Sequence, residues 1–160
     1  MIMENLKPLN STKTSNLSKS KFNYIDNAFQ LNIFSGVGVI ENEASSFKDV
    51  INYFGFPNTD ETDDRGNRIL EYSTAGLYFK FINILNDNDD PKVSFIRIKK
   101  PYISRNSICP GLKQKAVHEY MDGLKLEKEQ NSTEIWSNKR SQHVKFTYDK
   151  RKILESILIF

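Results

Sequence analysis

One cysteine, two histidines and one tryptophan are all this 160-residue chain holds of three chemistry-rich residue types. With Cys109 alone, no disulfide can form within the chain. So few thiols and imidazoles cannot make a zinc site. Gly-x-Ser-x-Gly, Cys-x-x-Cys and His-Glu-x-x-His are all absent. Those absences argue against hydrolase, redox and metalloprotease chemistry. No apolar run approaches the ~18 residues of a membrane span, and no apolar leader stands near Met1. A soluble, cytoplasmic protein with no membrane partner is expected. Cys109, beside Pro110, reads as a small buried hydrophobe, and Trp136 reads as core. Neither His118 nor His143 has an acidic partner placed by sequence.

What is present is enough for one folded domain. Apolar residues make up 38% of the chain, with 11 Phe and 7 Tyr to fill a core. The net charge of +3 hides an asymmetry. Residues 41–90 carry 11 acidic against 4 basic side chains, and residues 91–160 carry 7 against 15. Two readings stand: ordinary solvated surfaces, or a molecule with an acidic end and a basic end.

The clearest local signal is a helix over residues 46–55. Phe47, Val50, Ile51 and Phe54 fall on one face. Ser46 is placed as N-cap with Asp49 as its capping-box partner, and Gly55 ends the helix. Phe56 is expected to fold back on it. The helix is short and needs a surface to sit on. Gly36 and Gly38 precede it without the further glycine or Lys-Ser/Thr pair of a phosphate loop.

Residues 1–28 read as a mobile tail, or as an arm docking through Leu6, Leu9 or Leu17. The alternation Phe29, Leu31, Ile33 suggests a strand leading to Gly36. Residues 58–67 read as an acidic turn without the spacing of a calcium loop. Residues 86–91 approach that spacing, but Pro91 and Arg97 stand where glycine and the last carboxylate belong. No cofactor is predicted. Strands are expected at 68–72, at 77–82, with Leu77, Phe79 and Phe81 beneath the helix, and at 93–98.

A second unit follows the same order. It has a helix over Leu112–Met121 with Leu112, Ala116, Val117 and Tyr120 inward, then strands at 133–136, 142–148 and 153–160. Val-x-x-Tyr recurs at Val50/Tyr53 and Val117/Tyr120. A duplication of a helix-then-three-strands unit is the reading. The fold class is α+β: repeats at 29–101 and 102–160 share one antiparallel sheet in one compact domain, helices on one face.

The pattern Gly-x-Gly-x-Ile, then Ser-x-x-x-Val-x-x-x-Phe-Gly-x-Pro, resembles the repeats of the beta-lactamase-inhibitor-protein-like group. It is also similar to the SmpA/OmlA group of barrel-assembly lipoproteins. The resemblance covers residues 33–160. It implies a curved sheet with helices on one side and the other side free for a protein partner. Some immunity proteins of toxin systems are similar in plan. This chain departs in having no lipid-attachment cysteine near its start and no disulfides.

Strand parity then places Tyr78, Lys80, Phe95, Arg97, His143 and Lys145 on the open face. Aromatic residues with arginine are the composition of an interface hot spot. An ordinary half-solvated sheet shows the same residues. Asp60, Glu61, Asp63 and Asp64 would suit a basic partner. The expected function is a non-catalytic protein-binding module, an inhibitor or an immunity protein against a bacterial toxin. The alternative is a small-ligand protein or enzyme with a pocket between the repeats near Trp136 and His143. The basic clusters Lys99-Lys100, Lys139-Arg140 and Lys150-Arg151-Lys152 lack a recognition motif, which disfavours nucleic acid.

Overall fold

The computed structural model describes residues 30–82, 90–103, 108–123, 127–128 and 134–160. The fold is α+β, and the described residues form two helices and two antiparallel sheets. A small sheet comes first: β1 (Leu31–Asn32), β2 (Gly36–Val37) and β3 (Ile40–Glu41). Helix α1 (Phe47–Phe54) leads into β4 (Thr59–Thr62), β5 (Arg68–Tyr72), β6 (Leu77–Phe81) and β7 (Val93–Lys99). Helix α2 (Gln114–Gly123) leads into β8 (Glu127–Lys128), β9 (Glu134–Ser137), β10 (His143–Tyr148) and β11 (Leu154–Ile159). The large sheet has eight strands in the order β4-β5-β6-β7-β11-β10-β9-β8.

Helix α1 forms where its caps are. Ser46 Oγ accepts from the Asp49 amide at 3.2 Å, and the Asp49 carboxylate accepts from the Ser46 amide at 2.7 Å. Two amides at the helix start that would lack partners are thereby satisfied. The apolar stripe then lies on the sheet. Phe47 meets Phe81 edge-on at 5.3 Å, and Phe54 lies 5.5 Å from both Phe79 and Tyr72. Tyr72 donates its hydroxyl to the Gly55 carbonyl at 2.7 Å, tying the helix end to β5. Burial, with the Asp60 charge nearby, pushes the Tyr72 phenol up to about 12. Ser46→Ala is expected to cost about 1 kcal/mol, read by urea unfolding.

Both helices sit on the same face of the large sheet. Tyr72, Leu77, Ile98, Ile157, Phe146 and Glu134 follow one another across it from β5 to β9, all buried, with Phe79 two residues from Leu77 on the same side. Phe79 packs under α1, and Glu134 lies under α2. Leu31, Ile33, Val37 and Ile40 of the small-sheet segment join the same core.

Several backbone features occur in pairs along the chain. A bridge joins Ser46 to Lys92 just before α1 and β7, and another joins Lys113 to Ile153 just before α2 and β11. The Val93 amide donates to the Ser45 carbonyl as that of Leu154 donates to Leu112. A bulge falls between Lys80 and Phe81 against β7, and another between Thr147 and Tyr148 against β11. In register, Leu77, Phe79 and Phe81 therefore stand where Val144, Phe146 and Tyr148 stand. Leu70 and Tyr72 likewise stand where Glu134 and Trp136 do.

Several expectations are corrected. Each helix is followed by four strands rather than three, because 59–62 in the acidic stretch is a strand and 127–128 adds another. Strand β1 is only two residues long, since Ile33–Ser35 turns back. Phe56 is 92% exposed, so it does not fold back on the helix; Tyr72 already holds that helix end. Helix α2 begins at Gln114, and Val117 and Met121 are its buried residues, while Ala116 and Tyr120 face out. Phe29, the arm leucines and residues 86–89 of the second acidic loop lie outside the described residues.

Candidate functional site

The face opposite the helices carries two parallel rows of side chains. One row runs Glu71, Tyr78, Arg97, Leu158, Lys145 and Ile135 across β5, β6, β7, β11, β10 and β9. The next runs Ile69, Lys80, Phe95, Phe160, His143 and Ser137. All twelve are half-buried. No described helix lies over them. The six open-face residues named from sequence are thus brought together on one surface.

Local contacts stiffen this surface. The Arg97 guanidinium lies 5.4 Å from the Tyr78 ring centroid. The Phe160 ring stacks on His143 at 5.5 Å and stands 6.4 Å from Phe95. His143 Nδ1 shares a hydrogen bond of 2.8 Å with Ser137 Oγ. Arg97 and Lys145 flank Leu158, so the middle of the face is cationic around an apolar centre. Leu158 and Phe160 were not assigned from sequence. The alternation Ser156, Leu158, Phe160 was the available signal, but it is blurred by apolar residues on both parities.

The four acidic candidates divide. Asp60 holds Arg68 through two hydrogen bonds of 2.8 and 2.9 Å, and Arg68 lies 3.9 Å over the Phe47 ring. That arginine keeps the Asp60 carboxyl below its ordinary value. Asp63 accepts from the Asn67 side chain and amide and from the Arg65 amide, and pairs with Lys80 at 2.9 Å. Asn67 first and Lys80 second hold its carboxyl well below the usual carboxylate range. Both acids therefore do internal work. Glu61 and Asp64 are exposed at the rim.

A second cluster was missed in sequence. Under α2, Glu134 is 8% exposed. Its Oε1 accepts from Gln114 Nε2 at 2.5 Å and lies 2.6 Å from His118 Nε2. Burial alone would raise the Glu134 carboxyl, but the Tyr148 hydroxyl nearby and the bonded His118 and Gln114 outweigh it and bring the value down. Burial, with Glu134 beside it, pushes the Tyr148 phenol far up. Trp136 stands edge-on to His118 at 6.2 Å. It lies on the core face, whereas His143 lies on the open face, so the two do not line one pocket. Gln114 and His118, four residues apart, share one helix face; only their contact with Glu134 gives that spacing meaning.

Among the described residues, no three His, Cys, Asp or Glu side chains could together hold a metal ion. No described helix is long and apolar enough to cross a membrane. A small cleft at the rim of the open face is lined by Glu71, Ser73, Tyr78, Lys99 and Lys100 among others.

This architecture, an antiparallel sheet with helices on one face, is shared with solved bacterial proteins. One is YjgB, a DUF4309 family protein from Bacillus subtilis subsp. subtilis str. 168, at TM-score 0.51 and 12% identity, covering 86% of this chain and 90% of that one. Another is an extracellular protein containing a SCP domain from Bacillus anthracis str. Ames, at TM-score 0.53 and 11% identity. That match covers 94% of this chain but only 49% of the other, so the chain spans about half its length. At these identities the likeness is one of fold. No family model matches the chain, and no curated protein matches it.

Proposed function

We propose that this chain is a duplicated helix-and-meander unit serving as a non-catalytic protein-binding module, with its partner held on the open face of the large sheet. The duplication is supported by the paired bridges, bulges and hydrogen bonds of the two halves. One observation carries the binding reading: a continuous surface across six strands, half-buried throughout, with aromatic residues and cations at its middle. Interface centres are enriched in aromatic residues and arginine. The resemblance to the beta-lactamase-inhibitor-protein-like group points the same way. With Asp60 and Asp63 engaged internally, Arg97 and Lys145 set the central charge. The contacting segment of the partner is therefore acidic around an apolar residue that meets Leu158.

The test is affinity capture from lysate, followed by titration of the captured protein. Wild type is compared with a Tyr78→Ala/Arg97→Ala/Lys145→Ala variant and with a Lys115→Ala control on the exposed side of α2. Lys80 is left in place because it holds Asp63. Loss of a single hot-spot residue costs ~2 kcal/mol or more, about 30-fold. The triple variant is expected to weaken binding more than 100-fold (roughly 3 kcal/mol), and the control to bind as wild type. Unchanged binding by the folded triple variant would move the interface off this face.

A further inference from the structure

The two helices rest on chemically different seats. At matched positions, α1 and its strands place Phe47, Ile51, Leu70 and Phe81, whereas α2 and its strands place Gln114, His118, Glu134 and Tyr148. The first set is apolar and packs as rings and branched chains. The second is a hydrogen-bonded polar set around one buried carboxylate. The apolar hold on α2 comes from Val117 and Met121, with Leu112 just before the helix. Helix α1 adds Phe47, Ile51 and Phe54 to its buried Val50.

A buried carboxylate is stable only while its partners remain in place, and removing the charge leaves those partners with the desolvation cost. The groups facing Glu134 are Gln114 and His118 from α2 and Tyr148 from β10. Lys115 and Glu119 approach one another at 4.0 Å on the exposed side of α2 and do not face it. When Glu134 takes a proton, the charge that strengthens its bonds to Gln114 and His118 is gone, and the buried polar set keeps its desolvation cost. The clamp that bridges helix and strand then works against the helix.

We infer that α2 is an acid-released latch: protonation of Glu134 frees α2 from β9, while α1 stays on its apolar seat. The direction follows from Glu134. Its carboxyl in the folded chain lies below its ordinary value of 4.5. The clamp therefore contributes fully above that ordinary value and is lost as pH falls through the lower, folded-state value. Among the described residues no buried carboxylate lies beneath α1; its acid-sensitive group is the Asp49 cap at its start, and its Tyr72 phenol titrates only in strong base.

The molecule carries its own reporter. Trp136 is the one tryptophan, is 4% exposed, and stands 6.2 Å from His118. The experiment follows Trp136 emission and far-ultraviolet circular dichroism from pH 7 to pH 2. Hydrogen exchange at pH 7 and at acid pH, corrected for intrinsic rates, is followed in peptides covering 114–123 and 47–54. The latch predicts a red shift of Trp136 emission before the sheet signal is lost. It also predicts that protection falls about tenfold or more in 114–123 while 47–54 holds. Glu134→Gln, which removes the charge but keeps the shape, should show the shifted emission already at pH 7 and no acid step. The wild-type exchange data stand by themselves if that variant fails to fold. One concerted loss of both helices, or an acid step of equal size in folded Glu134→Gln, would overturn the latch.

Discussion

Phe79→Ala is expected to remove about 3–5 kcal/mol of folding stability. Phe79 is fully buried and lies between Phe54 of α1 at 5.5 Å and Tyr72 of β5 at 6.0 Å. On the same face it pairs across the strands with Leu70 and Ile96. Truncating it removes the ring that α1 rests on and leaves a cavity whose walls belong to a helix and three strands. Those walls are backbone-bonded and cannot close the gap cheaply. Domains of this kind are stable by roughly 5–15 kcal/mol, so the loss is a large fraction of the whole. Urea unfolding would read it as a fall in midpoint at constant slope. A cost below ~1.5 kcal/mol would mean that Phe79 is not the seat described.

The second large effect is a backbone one. Gly76 closes the turn between β5 and β6 with φ +70. A Cβ there would lie 2.1 Å from the Lys99 carbonyl oxygen and 2.8 Å from the Tyr102 amide nitrogen. Both neighbours are backbone, and the Lys99 amide itself donates to the Gly76 carbonyl at 2.8 Å. The turn is thus pressed against the end of β7. Gly76→Ala must strain the left-handed residue, at about 1–2 kcal/mol, and also move a strand end. A total of ~3 kcal/mol or more is expected, of the order seen for overpacked sites. Gly55 supplies the control: it has φ +80, but nothing lies within 4 Å of its absent Cβ. Gly55→Ala should therefore show the backbone-strain part alone, about 1–3 kcal/mol at φ +80 and ψ −161. Equal losses for the two variants would refute the close-approach argument.

What could be read in advance was whatever is local. The cap at Ser46 and Asp49, the stop at Gly55 and the alternation Leu77, Phe79, Phe81 all depend on neighbours a few residues apart. The open face was legible for the same reason, since parity follows once a strand's inner side is known. Strand β4 was not legible. Thr59–Thr62 is exposed at every position, so it has no apolar alternation and is a strand only through its pairing with β5. The inner side of α2 was misread because two of the residues it turns toward the sheet, Gln114 and His118, are polar. An apolar-stripe argument then moves to Ala116 and Tyr120. Their partner Glu134 lies 16 residues beyond His118, and only the fold brings it there.

Between molecules, β4 behaves as a boundary. It is the last strand at its end of the large sheet, and all four of its residues are exposed. A bare strand edge is a template on which a second chain can continue the sheet. Here the template carries Glu61, with Asp64 just beyond, while Asp60 and Asp63 are held by Arg68 and Lys80. Two copies meeting edge to edge would bring carboxylates against carboxylates, and repulsion would act before hydrogen bonds could form. The guard is electrostatic, with a reach of about 8 Å at physiological ionic strength and shorter in strong salt. Crowded, low-salt solutions are thus where this sheet keeps most firmly to its own eight strands.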